Sequence, residues 1–97
     1  MAEVIEIMTF RLVDGVDEAA FREVDGRVQV ELAYRQTGFV RRTLGRRDDR
    51  WLVLQIWANP QAAAAGRAAF DESPLGAEYL GFIDAGSIVV ERFDDAG

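Results

Sequence analysis

The amino-acid sequence predicts an α+β fold in which a four-stranded antiparallel sheet carries its helices on one face, the ferredoxin-like βαββαβ arrangement. Three observations support this: four runs rich in β-branched and aromatic residues, amphipathic segments between them, and strands that are apolar on both faces. The length of 97 residues, 49% of them hydrophobic and 29% charged, suits one globular domain spanning 1–97.

The first strand is predicted at residues 4–13, where β-branched and aromatic side chains predominate until Asp14 and Gly15 break the run. A helix is predicted from about 17 to 35, with Asp17 as its N-cap. Its apolar residues recur at spacings of three and four, the pattern of a helix with one buried stripe. They are Phe21, Val24, Val28 and Leu32.

Two further strands are predicted at 39–44 and 51–57, joined by a polar hairpin connection over 45–50. Asn59 followed by Pro60 starts a second helix, because asparagine caps well and proline suits the first helical position. Ser73 and Pro74 repeat this signal and open a short helix that runs through 83. The fourth strand is predicted at 87–93. Right-handed crossovers then place both helical segments on the same face of the sheet.

The predicted strands are apolar on both faces, whereas a sheet with one face in water alternates apolar and polar residues. In the third strand, Trp51, Val53 and Trp57 oppose three further apolar residues, Leu52, Leu54 and Ile56. Helices cover one face only, so we expect a second copy to pack sheet to sheet in a homodimer. The alternative is a half-apolar face that carries a ligand or another partner.

Several functional classes are disfavoured by composition. The chain contains no histidine or cysteine, and its basic residues are all arginine, so we expect no metal, no haem and no Schiff-base lysine. The formal charge of −6 argues against a nucleic-acid partner. No run is long enough to span a membrane, and Met1, Ala2 and Glu3 do not begin a signal peptide. We therefore expect a cytoplasmic protein without a cofactor.

Three local strings carry a resemblance to a known family: QTGFVRR at 36–42, WLVLQIW at 51–57 and FIDAGS at 82–87. With the order of elements, they resemble the dimeric α/β-barrel superfamily, and within it the antibiotic biosynthesis monooxygenase-like branch. The resemblance implies that two subunits join their sheets into a barrel. It also implies a ligand pocket between each subunit's sheet and helices. Activities in the superfamily include cofactor-free oxygenation of polyketide phenols, haem degradation and lactone isomerisation.

The haem-degrading branch uses an asparagine on the first strand, a tryptophan on the second helix and a histidine ligand further on. The corresponding stretches here contain Met8 with Thr9, then Phe70, then Tyr79. None of the three family residues is kept, so the resemblance does not extend to haem degradation.

One carboxylate stands out as a candidate catalytic residue. Glu6 lies mid-strand on the face that also carries Met8 and Phe10, where desolvation would suit a general base. The alternative is an ion pair between Glu6 and an arginine of a neighbouring strand, and Arg41, Arg42 and Arg92 are the candidates.

Six other side chains are candidates for lining a ligand pocket. Trp57 would stack on an aromatic ligand or fill the core, and Thr9 and Gln55 would orient a ligand hydroxyl. Phe70, Tyr79 and Phe82 would border the pocket mouth near the Ser73 break, or pack as core residues.

The resemblance favours a cofactor-free monooxygenase that acts on a small aromatic or polyketide-like molecule. Two alternatives remain open: a non-catalytic ligand-binding or stress-responsive homodimer, and a lactone isomerase-type enzyme in which Glu6 moves the proton.

Overall fold

The computed structural model describes residues 2–97, so Met1, at the start of the chain considered above, lies outside the described residues. Its strands form one antiparallel sheet in the order β2-β3-β1-β4. Their bounds are β1 Val4–Phe10, β2 Phe39–Arg47, β3 Arg50–Trp57 and β4 Val89–Asp94.

Three helices lie between the strands: α1 Glu18–Glu31, α2 Pro60–Glu72 and α3 Pro74–Gly81. Each begins at a predicted cap, because the side chains of Asp17, Asn59 and Ser73 accept a backbone N–H from the first turn. With all three helices on one face of the sheet, the predicted ferredoxin-like fold is confirmed.

Several predicted boundaries differ from the structure. Strand β1 ends at Phe10 rather than 13, helix α1 ends at Glu31 rather than 35, and helix α3 ends at Gly81 rather than 83.

Strand β2 continues through Arg47, so the hairpin turn is only Asp48 and Asp49 rather than the whole of 45–50. Charged residues are tolerated there because an edge strand leaves their side chains in water. Strand β4 begins at Val89 rather than 87, since Ala85–Ser87 form a 3-10 turn capped by Asp84.

The helix-facing side of the sheet holds the core. Phe10 is fully buried and meets Phe21 of α1 edge to face, with ring centroids 5.9 Å apart. Phe21 in turn contacts Trp51 of β3 and Tyr79 of α3. Aromatic packing of this kind ties both helical segments to the two central strands.

The opposite side of the sheet is covered by no part of the described chain, and we call it the open face. Its apolar side chains occupy three neighbouring strands, and the two on the edge strand β4, Val89 and Phe93, are each 48% exposed. The predicted two-sided apolar pattern is therefore present. The open face contains Ile5, Ile7, Leu52, Leu54, Ile56, Val89 and Phe93.

Within the described part of the chain, no helix combines the length and the apolar character that crossing a membrane requires.

Candidate functional site

A cavity of about 70 Å³ lies between the sheet and the three helices. One water molecule needs roughly 10–15 Å³ on the same measure, so the cavity holds several waters or one small ring. Helix side chains Val28, Phe70 and Tyr79 form its walls, and Arg67 lines it with a side chain that is 58% exposed. Part of the cavity lining is therefore in contact with solvent.

The floor of the cavity is a row of polar side chains that crosses the sheet. Arg42 on β2 pairs in register with Gln55 on β3, and Gln55 pairs with Glu6 on β1. The row continues to Arg92 on β4, the register partner of Glu6. Register partners share one face of a sheet, so these side chains stand side by side beneath the helices.

The first member of that row, Arg42, belongs to a buried network. Its Nη1 donates to Oδ2 of Asp25 at 3.0 Å and its Nη2 donates to Oδ1 at 2.7 Å. The hydroxyl of Tyr79 donates to the same Oδ1 at 2.9 Å. The Arg42 side chain is 3% exposed and that of Asp25 8%, so three elements meet at one desolvated, bidentate ion pair.

This network sets the protonation of its members. Burial by itself lowers the pKa of the Arg42 guanidinium, but the hydrogen bonds and charge of Asp25 outweigh that effect and raise it. Burial and the neighbouring Asp25 carboxylate raise the pKa of the Tyr79 phenol well above its ordinary value. Arg42 therefore stays charged, and Tyr79 stays a hydrogen-bond donor.

Glu6, the candidate general base, forms an ion pair with Arg92, one of the three arginines that were named as its alternative partners. Arg92 donates to Oε2 of Glu6 from Nη2 at 2.5 Å and from Nε at 3.2 Å, while Arg42 is engaged by Asp25. Glu6 nevertheless lines the cavity, and its side chain is 14% exposed. Both bonds from Arg92 end on Oε2, so Oε1 is left to other partners.

Trp57 packs tightly but lacks a polar partner. Its ring is 3% exposed and lies edge-on to Phe39, with centroids 5.6 Å apart. No residue among 2–97 accepts a hydrogen bond from its indole N–H, which is buried. An unsatisfied buried donor costs about 1–3 kcal/mol, so this one requires an explanation.

The structure brings four of the six predicted pocket residues to the cavity: Gln55, Trp57, Phe70 and Tyr79. Thr9 does not line it, because its position on β1 directs the side chain to the open face, where Arg50 donates to it. Phe82 does not line it either, since its ring packs against Phe21.

Sequence reasoning missed Asp25 and the network that it organises. Asp25 lies among Phe21, Val24 and Val28 on the buried stripe of α1. A carboxylate inside an apolar helical stripe is the signal that could have found it, because such a group requires a charged partner.

Gly66 of α2 is the point at which the helix meets Trp57. A methyl group added there would come within 2.2 Å of Trp57 Cη2, so Gly66→Ala is expected to lower the free energy of unfolding by about 1–3 kcal/mol. Gly26 of α1 is the matched control, since no atom lies within 4 Å of an added methyl. Gly26→Ala is expected to stabilise the protein by about 0.5–1 kcal/mol. Urea unfolding of both variants measures the difference, and equal effects would contradict the close contact.

The fold of this chain is similar to that of solved structures named as a cofactor-independent oxygenase and as antibiotic biosynthesis monooxygenases, which confirms the fold expected from the resemblance drawn from the sequence. SnoaB, a cofactor-independent oxygenase from Streptomyces nogalater, is similar with a TM-score of 0.81 and 22% identity. The match covers 100% of this chain and 96% of SnoaB. A SnoaB variant gives a TM-score of 0.83 at 21% identity over the same shares.

A proposed antibiotic biosynthesis monooxygenase from Caulobacter crescentus is also similar, with a TM-score of 0.77 and 19% identity over 99% of this chain and 92% of that one. No family model and no curated protein matches the sequence. At these identities the likeness establishes the fold of the chain.

Proposed function

We propose that this chain is a single-domain, cytoplasmic homodimer that acts as a cofactor-independent monooxygenase on a small aromatic or polyketide-like molecule. The observation that carries the proposal is the cavity floor, where a guanidinium, an amide and a carboxylate stand in one row beneath aromatic walls. A mostly apolar site with a few polar groups is typical of small-molecule recognition. The similarity of the fold to SnoaB, a cofactor-independent oxygenase, supports oxygenation without a cofactor as the class of reaction.

The proposed reaction inserts one oxygen atom into a phenol with a hydrogen at its para carbon. That carbon becomes a carbonyl with one atom of O₂, and the second atom leaves as water with the ring hydrogen and the phenol hydrogen. The substrate supplies all four electrons, so the protein has only to ionise the phenol and hold the anion in a water-poor site. A chain without histidine or cysteine is compatible with this chemistry.

The residues of the cavity suit these tasks. Glu6 is the carboxylate placed to take the phenol proton, because its Oε1 is free of Arg92 and the side chain lines the cavity. Phe70, Tyr79 and Trp57 would enclose the ring. Arg42 stabilises developing negative charge, since its guanidinium is charged and held in place by Asp25.

Replacement of Glu6 tests the proposal. Glu6→Gln is expected to reduce turnover about 10²–10⁴-fold, the usual contribution of a general base, while the protein stays folded and dimeric. Oxygen uptake is measured with anthrones and single-ring phenols, and labelled O₂ should leave one labelled atom in the quinone and one in water. Glu23→Gln, an exposed change on α1, is the control.

No uptake above a denatured-protein control across the panel would contradict oxygenation. A ligand that raises the melting temperature but is recovered unchanged would then favour a non-catalytic binding protein. Rearrangement of a lactone without oxygen uptake, lost in Glu6→Gln, would favour the isomerase-type reaction. Full oxygen uptake in Glu6→Gln would remove Glu6 from the mechanism.

A further inference from the structure

The side-chain amide of Gln55 is a polar group on the cavity floor that the protein leaves without a partner. On one side of it, Arg42 donates from both Nη atoms to Asp25. On the other side, Glu6 accepts its hydrogen bonds from Arg92. No group of the described chain bonds to the Gln55 amide, so its donor and its acceptor are both available.

Both atoms of this amide are in contact with the cavity. Gln55 lies on the central strand β3 in register with Arg42 and Glu6, and all three side chains line the cavity. Because strands flank it on either side, water reaches the amide only from the helix side of the sheet. Gln55 is partly buried, and within residues 2–97 neither its Nε2 nor its Oε1 belongs to the fully buried atoms that lack a partner.

An amide in this position selects the ligand group that replaces its water. Without a ligand, water satisfies the donor and the acceptor. A methyl group brought to this point displaces that water and leaves the amide unpaired, whereas a hydroxyl restores a hydrogen bond. The neighbouring Glu6 carboxylate would repel a ligand carboxylate at this point, so the selected group is neutral.

We propose that Gln55 is a specificity-determining residue whose amide binds a second hydroxyl of the substrate, which makes the substrate class a dihydroxylated aromatic ring. The inference rests on the proposed function, since it takes the cavity as the ligand site and assigns the first hydroxyl to Glu6. The proposed reaction needs hydrogen on the carbon para to that first hydroxyl. The second hydroxyl therefore lies ortho or meta to the first.

Two pairs of ligands test the assignment on the unmodified protein under anaerobic conditions. Resorcinol is compared with 3-methylphenol, and catechol with 2-methylphenol. Within each pair a hydroxyl is exchanged for a methyl group, and every ligand keeps a hydrogen para to a hydroxyl. We expect calorimetric titration to show about tenfold tighter binding of the dihydroxylated ligand in at least one pair, equal to about 1.4 kcal/mol. A cavity that only packs the ring would give the opposite order, because desolvating a hydroxyl costs free energy.

Gln55→Met replaces the amide with an apolar group of similar length. This variant should bind the methyl analogue at least as tightly as the dihydroxylated ligand, while circular dichroism shows that it is folded. Gln61→Met is the matched control, because it makes the same change at an exposed position of α2 that does not line the cavity. The control should keep the tenfold preference.

Equal or tighter binding of the methyl analogue in both pairs by the unmodified protein, or binding of none of the four ligands, would overturn the assignment. A full preference retained in folded Gln55→Met would overturn it as well. If that variant does not fold, the order of affinities in the unmodified protein decides.

These titrations need no turnover, so they are independent of oxygen uptake. A preference for the dihydroxylated ligand without oxygen uptake rejects the proposed reaction alone. Oxygen uptake that depends on Glu6, with no such preference in either pair, rejects the role of Gln55 alone.

Discussion

Arg42→Met is expected to lower the free energy of unfolding by about 3–5 kcal/mol, because it leaves the Asp25 carboxylate buried without a cation. A bidentate pair with exposed fractions of 3% and 8% has little water to replace the lost partner. The Tyr79 hydroxyl would remain as a donor to Asp25, but one neutral donor does not balance a buried charge. Urea unfolding at fixed protein concentration is the measurement.

Two variants show that the effect comes from the buried charge. Arg46→Met on the same strand breaks an exposed pair with Glu18, whose side chains are 42% and 52% exposed, and should cost about 1 kcal/mol or less. Asp25→Leu combined with Arg42→Met removes both charges and should recover most of the loss. A loss below about 1 kcal/mol in Arg42→Met alone would mean that the pair is solvated.

Leu54→Glu is expected to convert the proposed dimer into a monomer. Leu54 lies at the centre of the open face, in register with Ile7 on β1 and Thr43 on β2. In a sheet-to-sheet dimer each copy would bury one unpaired carboxylate there, which costs several kcal/mol per site and weakens association by at least about a thousandfold.

Sedimentation at micromolar concentration measures this prediction as a mass that falls from twice 10.8 kDa to 10.8 kDa. Leu80→Glu is the control, since Leu80 is an apolar residue on α3, 42% exposed and away from the sheet. It should leave the mass unchanged. An unmodified protein that already sediments as a monomer at this concentration would contradict the dimer.

Local signals predicted the elements well because their physics is local. The caps at Asp17, Asn59 and Ser73 each satisfy a backbone N–H within three residues along the chain. The predicted end of strand β2 was wrong because the length of an edge strand depends on its pairing with the neighbouring strand. Residues 45–47 resemble a loop in composition, yet they pair with β3 because an edge strand tolerates charge.

The site was predicted in part for a related reason. Strand alternation grouped Glu6 with Met8 and Phe10, and Trp57 with Trp51 and Val53, because side chains alternate in any strand. It did not say which group the helices cover, and Thr9, also a pocket candidate, lies on the open face. Which arginine would meet Glu6 depended on strand order, and Arg92 on the far edge strand does so only because β4 lies beside β1.

The sequence by itself determined the βαββαβ order, the helix caps and the two apolar faces of the strands, since each follows from periodicity and short-range hydrogen bonding. Tertiary structure alone decided that Asp25, Arg42 and Tyr79 share one buried network, although they are far apart in the chain. It also decided that the Trp57 N–H is left without an acceptor, because Gly66 lets α2 approach closely enough to fix the ring. Both depend on how helices dock on the sheet, which no local pattern encodes.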